Sequence, residues 1–214
     1  MEKELKIINE DNLFKNIRHF FGKPRVALKE AVQNARRAGA DKVDVYFNDA
    51  HKMVTIHNNG SLIKDFSKLI ILSDSGWDSE TMESETPAGW GIMSMISVCR
   101  ELWIRNAGES GVFEELVIES HRFMNDSDYR NKLLKQCTEK VSFIEVGTVK
   151  ISMLLEEKTY ADLRECVFEP IFMKKGEFSI EKYWRYFIEI ELNFHLNHKL
   201  VESIKNRSDL LKDE

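Results

Sequence analysis

The chain is poor in the residues that punctuate a multi-part protein: three prolines and ten glycines in 214 residues, and nowhere a Gly/Pro/Ser-rich stretch that would serve as a linker. The simplest organisation is one domain over residues 1–204 with a polar tail at 205–214. With 43% hydrophobic residues it can bury one substantial core. Cysteine is as scarce. Cys99, Cys137 and Cys166 are odd in number and widely spaced, which argues against a disulfide framework or a zinc knuckle and for buried thiols. No apolar run reaches the length of a membrane span, and Met1-Glu2-Lys3-Glu4-Leu5 has no signal-peptide core, so a cytoplasmic protein is expected. Basic charge is not in excess either: 31 Lys and Arg against 36 Asp and Glu leave a net charge of −5, which speaks against an autonomous nucleic-acid surface. Internal repeats, a P-loop and a serine-nucleophile elbow are all missing.

What is present begins with an amphipathic segment, Leu28 to Ala40. Wound at 3.6 residues per turn, it sets Leu28, Ala31, Val32 and Ala35 on one stripe and Lys29, Gln33 and Arg37 outside. Pro24 suits the first turn, and Gly39 is placed to close the helix in a left-handed cap. Glu30 and Asn34 lie one turn apart on the flank of the stripe, beside the small side chains of Ala27, Ala31 and Ala38, where room is left for a ligand. A carboxylate and an amide so spaced can hold a metal-bound phosphate and activate a water. Taken alone, the pair also fits an ordinary helix surface.

Residues Lys42 to Asn48 alternate as a half-buried strand, Asn48-Asp49-Ala50 turns the chain, and Met53, Val54 and Ile56 continue as the second arm of a hairpin that runs into His57-Asn58-Asn59-Gly60. On such a strand His57 points away from Asn58. A helical run from Lys64 to Leu72 follows. An acidic loop to Pro87 comes next, and then Gly89-Trp90-Gly91 opens a helix from Ile92 to Val98. Glycines ahead of a helix N-terminus expose amides that favour anions.

The order Glu30-x-x-x-Asn34-Ala35, Asn58-Asn59-Gly60 after a hairpin, Gly89-x-Gly91 before a helix, and Val146-Gly147-Thr148 opening a strand resembles the GHKL ATPases, the superfamily of gyrase B, MutL, the large heat-shock chaperones and the sensor histidine kinases. The resemblance covers Pro24 to Leu155 directly, with Ile188 to Ser203 similar to the closing hairpin of such a domain. It implies the Bergerat fold, a two-layer α/β (α+β) sandwich with a mixed, mostly antiparallel sheet and helices on one face. It further implies binding of ATP with Mg2+ and slow hydrolysis, with lid closure coupled to a partner or to dimerisation. Glu30 would be the general base, Asn34 the magnesium ligand, and Gly89, Gly91 and Ile92 the phosphate cradle. Ala38, Asn58, Gly60 and Thr148 would complete the nucleotide site. The kinases of the superfamily usually carry His in place of that carboxylate, so Glu30 implies a hydrolytic member.

Two departures stand out. Asn58 replaces the acidic residue that reads the adenine amino group, which leaves guanine open, and Leu62 stands where a second glycine is usual. The lid region carries Asp74, Asp78, Glu80, Glu83 and Glu85 without Lys or Arg, and Trp77 and Trp90 flank it. A nucleotide sensor without turnover, or an interaction module that has lost nucleotide, fits these departures too.

Strands are further expected at Glu101–Arg105, Phe113–Glu119, Val141–Ile144, Val149–Leu155 and Ile188–Phe194, the last with its acids outward, and a helix at Tyr160–Phe168. Phe172 to Tyr186 has no clear pattern. Leu13, Phe14, Ile17, Phe20 and Phe21 mark an N-terminal helix at 11–21 whose apolar face docks on this domain or on a second copy. His195 and His198 flank an expected turn at Leu196-Asn197, and H-x-x-H without further ligands reads as incidental.

Overall fold

The architecture is that of a computed structural model, which describes residues 13–14, 16, 22–70, 91–107, 112–136, 140–142, 147–173 and 190–204. The amphipathic segment forms α1 (Pro24–Arg37), and the hairpin forms β1 (Lys42–Asn48) and β2 (Met53–Asn58). A short helix α2 (Ser67–Ile70) precedes α3 (Gly91–Val98), which runs straight into β3 (Cys99–Ala107). Then come β4 (Val112–Glu119), α4 (Ser120–Asn125), α5 (Ser127–Gln136), β5 (Lys140–Ser142), β6 (Thr148–Leu155), α6 (Glu157–Met173), β7 (Glu191–Leu196) and β8 (Lys199–Ile204).

The strands make one eight-stranded sheet in the order β5-β4-β3-β6-β2-β1-β7-β8. Among the described residues only β1 and β7 run parallel, and every other neighbouring pair is antiparallel. This is the mixed, mostly antiparallel α/β sandwich that the sequence led us to expect. Side chains alternate across each strand, so cross-strand register decides which meet. One row, Val45, Ile56, Ile151, Ile104 and Leu116, crosses five strands on one face, and the next row is Phe47, Val54, Met153, Leu102 and Ile118. All ten are buried, beneath Leu28, Ala31 and Val32 of α1, Met93 and Ile96 of α3, and Phe123 of α4. Each fully buried side chain of this kind contributes about 1.5–3 kcal/mol, so these rows carry much of the fold's stability.

The opposite face holds half-buried, mostly polar residues. Thr55 and Ser152 share a hydrogen bond of 2.9 Å there, and Tyr46 stacks on His195 at 4.3 Å. Asp44 accepts from Asn193 Nδ2 and meets His195 Nε2, each at 3.1 Å. Asn193 is buried, and its amide nitrogen also donates to Glu191 Oε1 at 2.9 Å.

At one end of the sheet the β7–β8 turn is Asn197-His198, one residue later than expected, with both residues at positive φ (47° and 68°) as a two-residue hairpin of this hand requires. Asn197 Nδ2 donates to Asp49 Oδ2 at 2.7 Å, and Tyr160 Oη and Arg164 Nε of α6 donate to Asp49 Oδ1 at 2.8 and 3.0 Å. Burial raises the Asp49 pKa, but the bonds from Asn197 and Tyr160 and the charge of Arg164 outweigh it, so the carboxyl sits below its ordinary 3.8.

Several expectations need correction. The helix expected at Lys64–Leu72 begins only at Ser67, because Asp65 caps it by accepting from the Ser67 amide and hydroxyl at 2.9 and 2.6 Å. The helix expected at Tyr160–Phe168 extends over Glu157–Met173, and the last long strand starts at Glu191. Of the N-terminal segment, residues 13, 14 and 16 are helical. Phe14 meets Phe123 edge-on at 5.5 Å while the buried Arg130 guanidinium lies 4.2 Å over its ring, so this residue docks on its own chain. Among the described residues no helix is long and apolar enough to cross a membrane. The acidic segment Asp74–Glu85, Trp77, Trp90, Gly89, Cys137, Val146 and the tail at 205–214 lie outside the described residues.

Candidate functional site

α1 is bounded as its sequence dictates. Pro24 opens the helix, and Gly39, at φ 74°, closes it while the Gly39 and Ala40 amides bond to the Arg36 and Ala35 carbonyls at 2.9 and 3.0 Å. Ala27, Leu28, Ala31, Val32 and Ala35 are buried, which leaves Glu30 and Asn34 half-buried on the flank. Arg37 Nη1 donates to Asn34 Oδ1 at 3.5 Å, a long and weak bond.

The start of α3 comes to the same place. A β-carbon on Gly91 would stand 3.1 Å from Asn34 Nδ2, 3.4 Å from Glu30 Oε2 and 3.7 Å from Asn34 Oδ1. Glycine is what lets the backbone approach both side chains at once. The first turn of α3 is tied down by Ser94, whose buried hydroxyl donates to the Gly91 carbonyl at 2.7 Å. Ile92, the next residue after Gly91, is buried in the core.

The bend after β2 meets the other end of α1. A β-carbon on Gly60 would stand 2.9 Å from the Ala38 carbonyl oxygen, 3.0 Å from Ala38 Cβ and 3.1 Å from the Ala40 nitrogen. The Ser61 amide donates to that same Ala38 carbonyl at 2.7 Å. Asn58 is buried on the helix-covered face; its Nδ2 donates to the Val149 carbonyl at 3.3 Å and its Oδ1 accepts from the Gly60 amide at 3.1 Å. Because one partner can only accept and the other can only donate, the orientation of the amide is determined. Asn59 ties the bend to the start of β1 through the Lys42 amide (3.1 Å) and Asp41 Oδ1 (2.5 Å).

The structure therefore brings Glu30 and Asn34 together with Gly91, and Ala38 together with Gly60 and Asn58. Thr148 is not brought to them. It is half-buried one residue before Val149, and since Val149 stands opposite Asn58, the alternation of β6 turns Thr148 to the other face. His57 points away from Asn58, as expected. His195 pairs with Asp44, and no group of His, Cys, Asp or Glu among the described residues is arranged to hold a metal by itself. Sequence reasoning missed Asn106, whose amide accepts from the Ile63 N–H at 2.9 Å and donates to the Ile63 carbonyl at 2.8 Å. A signal existed: in Leu102-x-Ile104-x-Asn106 it occupies a position that alternation reserves for the core.

A solved structure shares this architecture. The chain superposes on the crystal structure of the N-terminal domain of a DNA repair protein with a TM-score of 0.54 and 18% identity, over 94% of this chain and 59% of the other. A second similar structure is the MutL ATPase domain of Aquifex aeolicus complexed with ADP, at a TM-score of 0.47 and 16% identity, over 85% of this chain and 62% of the other. The chain thus spans about three fifths of the length of each. No protein-family model matches the sequence, and no curated protein sequence matches it. At this identity the first likeness establishes the fold.

Proposed function

We propose that this chain is a GHKL-type nucleotide-binding domain that takes a purine nucleoside triphosphate, ATP in the first instance, and hydrolyses it slowly. The observation that carries the reading is the approach of the Gly91 backbone to both Glu30 and Asn34. A glycine seated against a carboxylate and an amide, at the start of a helix, puts backbone amides that favour phosphate oxygens beside both side chains. Support also comes from the shared fold and from the order of the sequence motifs.

Glu30 and Ala38 are eight residues apart, about 12 Å along the helix axis, so phosphates at Glu30 and a base at Asn58–Gly60 can be spanned by one nucleotide. In this reading the Glu30 carboxylate accepts a proton from water as the water oxygen attacks the terminal phosphorus. The bond from that phosphorus to the bridging oxygen breaks, and the nucleoside diphosphate and inorganic phosphate are released. The donor set fits magnesium, since Asn34 Oδ1 is a neutral hard oxygen beside a carboxylate. A magnesium ion held by Asn34 with phosphate and water oxygens would supply positive charge against the triphosphate. Asn58 retains one amide hydrogen and one lone pair beyond its two backbone bonds, so it can both donate to and accept from a purine edge. Gly89 and Ile92 belong to the phosphate side of this reading, with closure of the acidic segment coupled to dimerisation or a protein partner.

Calorimetry with non-hydrolysable ATP and GTP analogues, with and without magnesium, tests this. Magnesium-dependent binding is expected, together with phosphate release from the hydrolysable nucleotide. A melting temperature indifferent to millimolar nucleotide and magnesium overturns the reading, because a ligand bound to the native state must stabilise it by mass action.

A further inference from the structure

We infer that Asn106 is a positioning residue that sets the wall of the nucleotide site formed by the Asn58–Gly60 bend; the inference rests on the nucleotide reading above. Asn106 is buried on β3, and its side-chain amide engages both backbone groups of Ile63 across 43 residues of sequence, at 2.9 and 2.8 Å. An amide that accepts from an N–H and donates to the C=O of the same residue substitutes for a strand partner. Residues 61–63 belong to no strand or helix, so the side chain of Asn106 does for this segment what a sheet ladder does elsewhere.

The register gives the clasp its reach. Asn106 and Asn58 both stand opposite Val149, one on each side, so the two asparagines share the helix-covered face about 10 Å apart, two strand spacings. Asn58 fixes the entrance of the bend through the Gly60 amide, Ala38 holds its middle through the Ser61 amide, and Asn106 holds its exit. β3 also continues directly from α3, the helix that begins at Gly91. Through Asn106 the wall carrying Gly60 is therefore tied to the element that carries Gly91 against Glu30 and Asn34. Neither bond touches those two side chains, so loosening the clasp should act on nucleotide affinity rather than on the hydrolytic step.

The test uses the full chain with Asn106→Ala and the near-isosteric Asn106→Asp, which keeps an acceptor for the Ile63 amide but cannot donate to the Ile63 carbonyl when ionised. Hydrogen exchange in the nucleotide-free protein should be faster at Ser61 and Ile63 in the Ala variant, with the β3–β6 ladder unchanged. Both variants should bind the ATP analogue at least tenfold more weakly and raise KM by a similar factor, with kcat within about twofold of the wild type. If Asn106→Ala does not fold, the Asp variant decides. Wild-type affinity in a folded variant overturns the positioning role and leaves the nucleotide reading standing. A wild-type chain that binds no triphosphate overturns the nucleotide reading, and the role of Asn106 falls with it.

Discussion

Gly60 lies against the carbonyl of Ala38 so closely that even a methyl group between them would be 2.9 Å from that oxygen. The neighbours on this side are largely backbone, the Ala38 carbonyl and the Ala40 nitrogen, which cannot rotate out of the way. Gly60→Ala should therefore destabilise the chain by about 1–3 kcal/mol through overpacking, read as a lower urea midpoint. Gly39→Ala, with open space around its β-carbon but φ at 74°, should lose only about 1 kcal/mol through backbone strain. Equal and negligible losses at both positions would mean that the bend does not rest on the helix end.

Gly91→Ala makes the opposite kind of perturbation. Here the methyl would meet the ends of two flexible side chains, Asn34 and Glu30, rather than backbone. The fold should lose less than about 1 kcal/mol, because those ends can move. Nucleotide affinity should fall by tenfold or more, since moving them spoils the site. A variant that binds the ATP analogue as well as the wild type would detach Gly91 from function.

Glu30→Ala should keep nucleotide binding and reduce phosphate release by a factor of about 10² or more, in line with the loss of a general base. Phosphate release equal to that of the wild type excludes Glu30 from the chemistry. Asn34→Ala should remove most of the magnesium dependence of binding. If binding by the wild type already ignores a chelator, Asn34 has no ion to hold.

Asp49 provides a pH test of the fold at the far end of the sheet. Its pKa is depressed below the ordinary 3.8, so the stability it contributes is fully present above that value and is lost as the pH falls through the folded-state pKa. Asp49→Asn removes the titration while keeping one acceptor for Tyr160 or Asn197. The melting temperature of the wild type should exceed that of the variant at neutral pH, and the gap should narrow below pH 3.8. A gap of constant size down to the acid limit would show that the Asp49 charge does not matter.

Much of the fold was legible because its elements are amphipathic and well bounded. Val43, Val45 and Phe47 announce a strand by alternation and are all buried, and Pro24 and Gly39 mark the ends of α1. Boundaries failed where a side chain outside the pattern decided them, as Asp65 does by capping α2 at Ser67. In the site, Glu30 and Asn34 could be paired from their one-turn spacing alone. Their approach to Gly91 has no local signature and was implied only by the family resemblance, because it depends on how α3 packs against α1. Thr148 was misplaced by one residue of register with Asn58, and one residue on a strand reverses the face.

The linear order of residues thus determined by itself what local geometry can encode: helix faces, strand faces, caps and turns, each set by periods of 3.6 and 2 and by the backbone freedom of glycine and proline. Tertiary structure alone decided which faces meet. That Gly60 rests on Ala38, that Gly91 rests on Asn34, and that Asn106 holds Ile63 follow from strand order and register, which depend on contacts between segments far apart in the chain. A buried backbone group must find its partner wherever the packed core brings one, and no local pattern specifies that address.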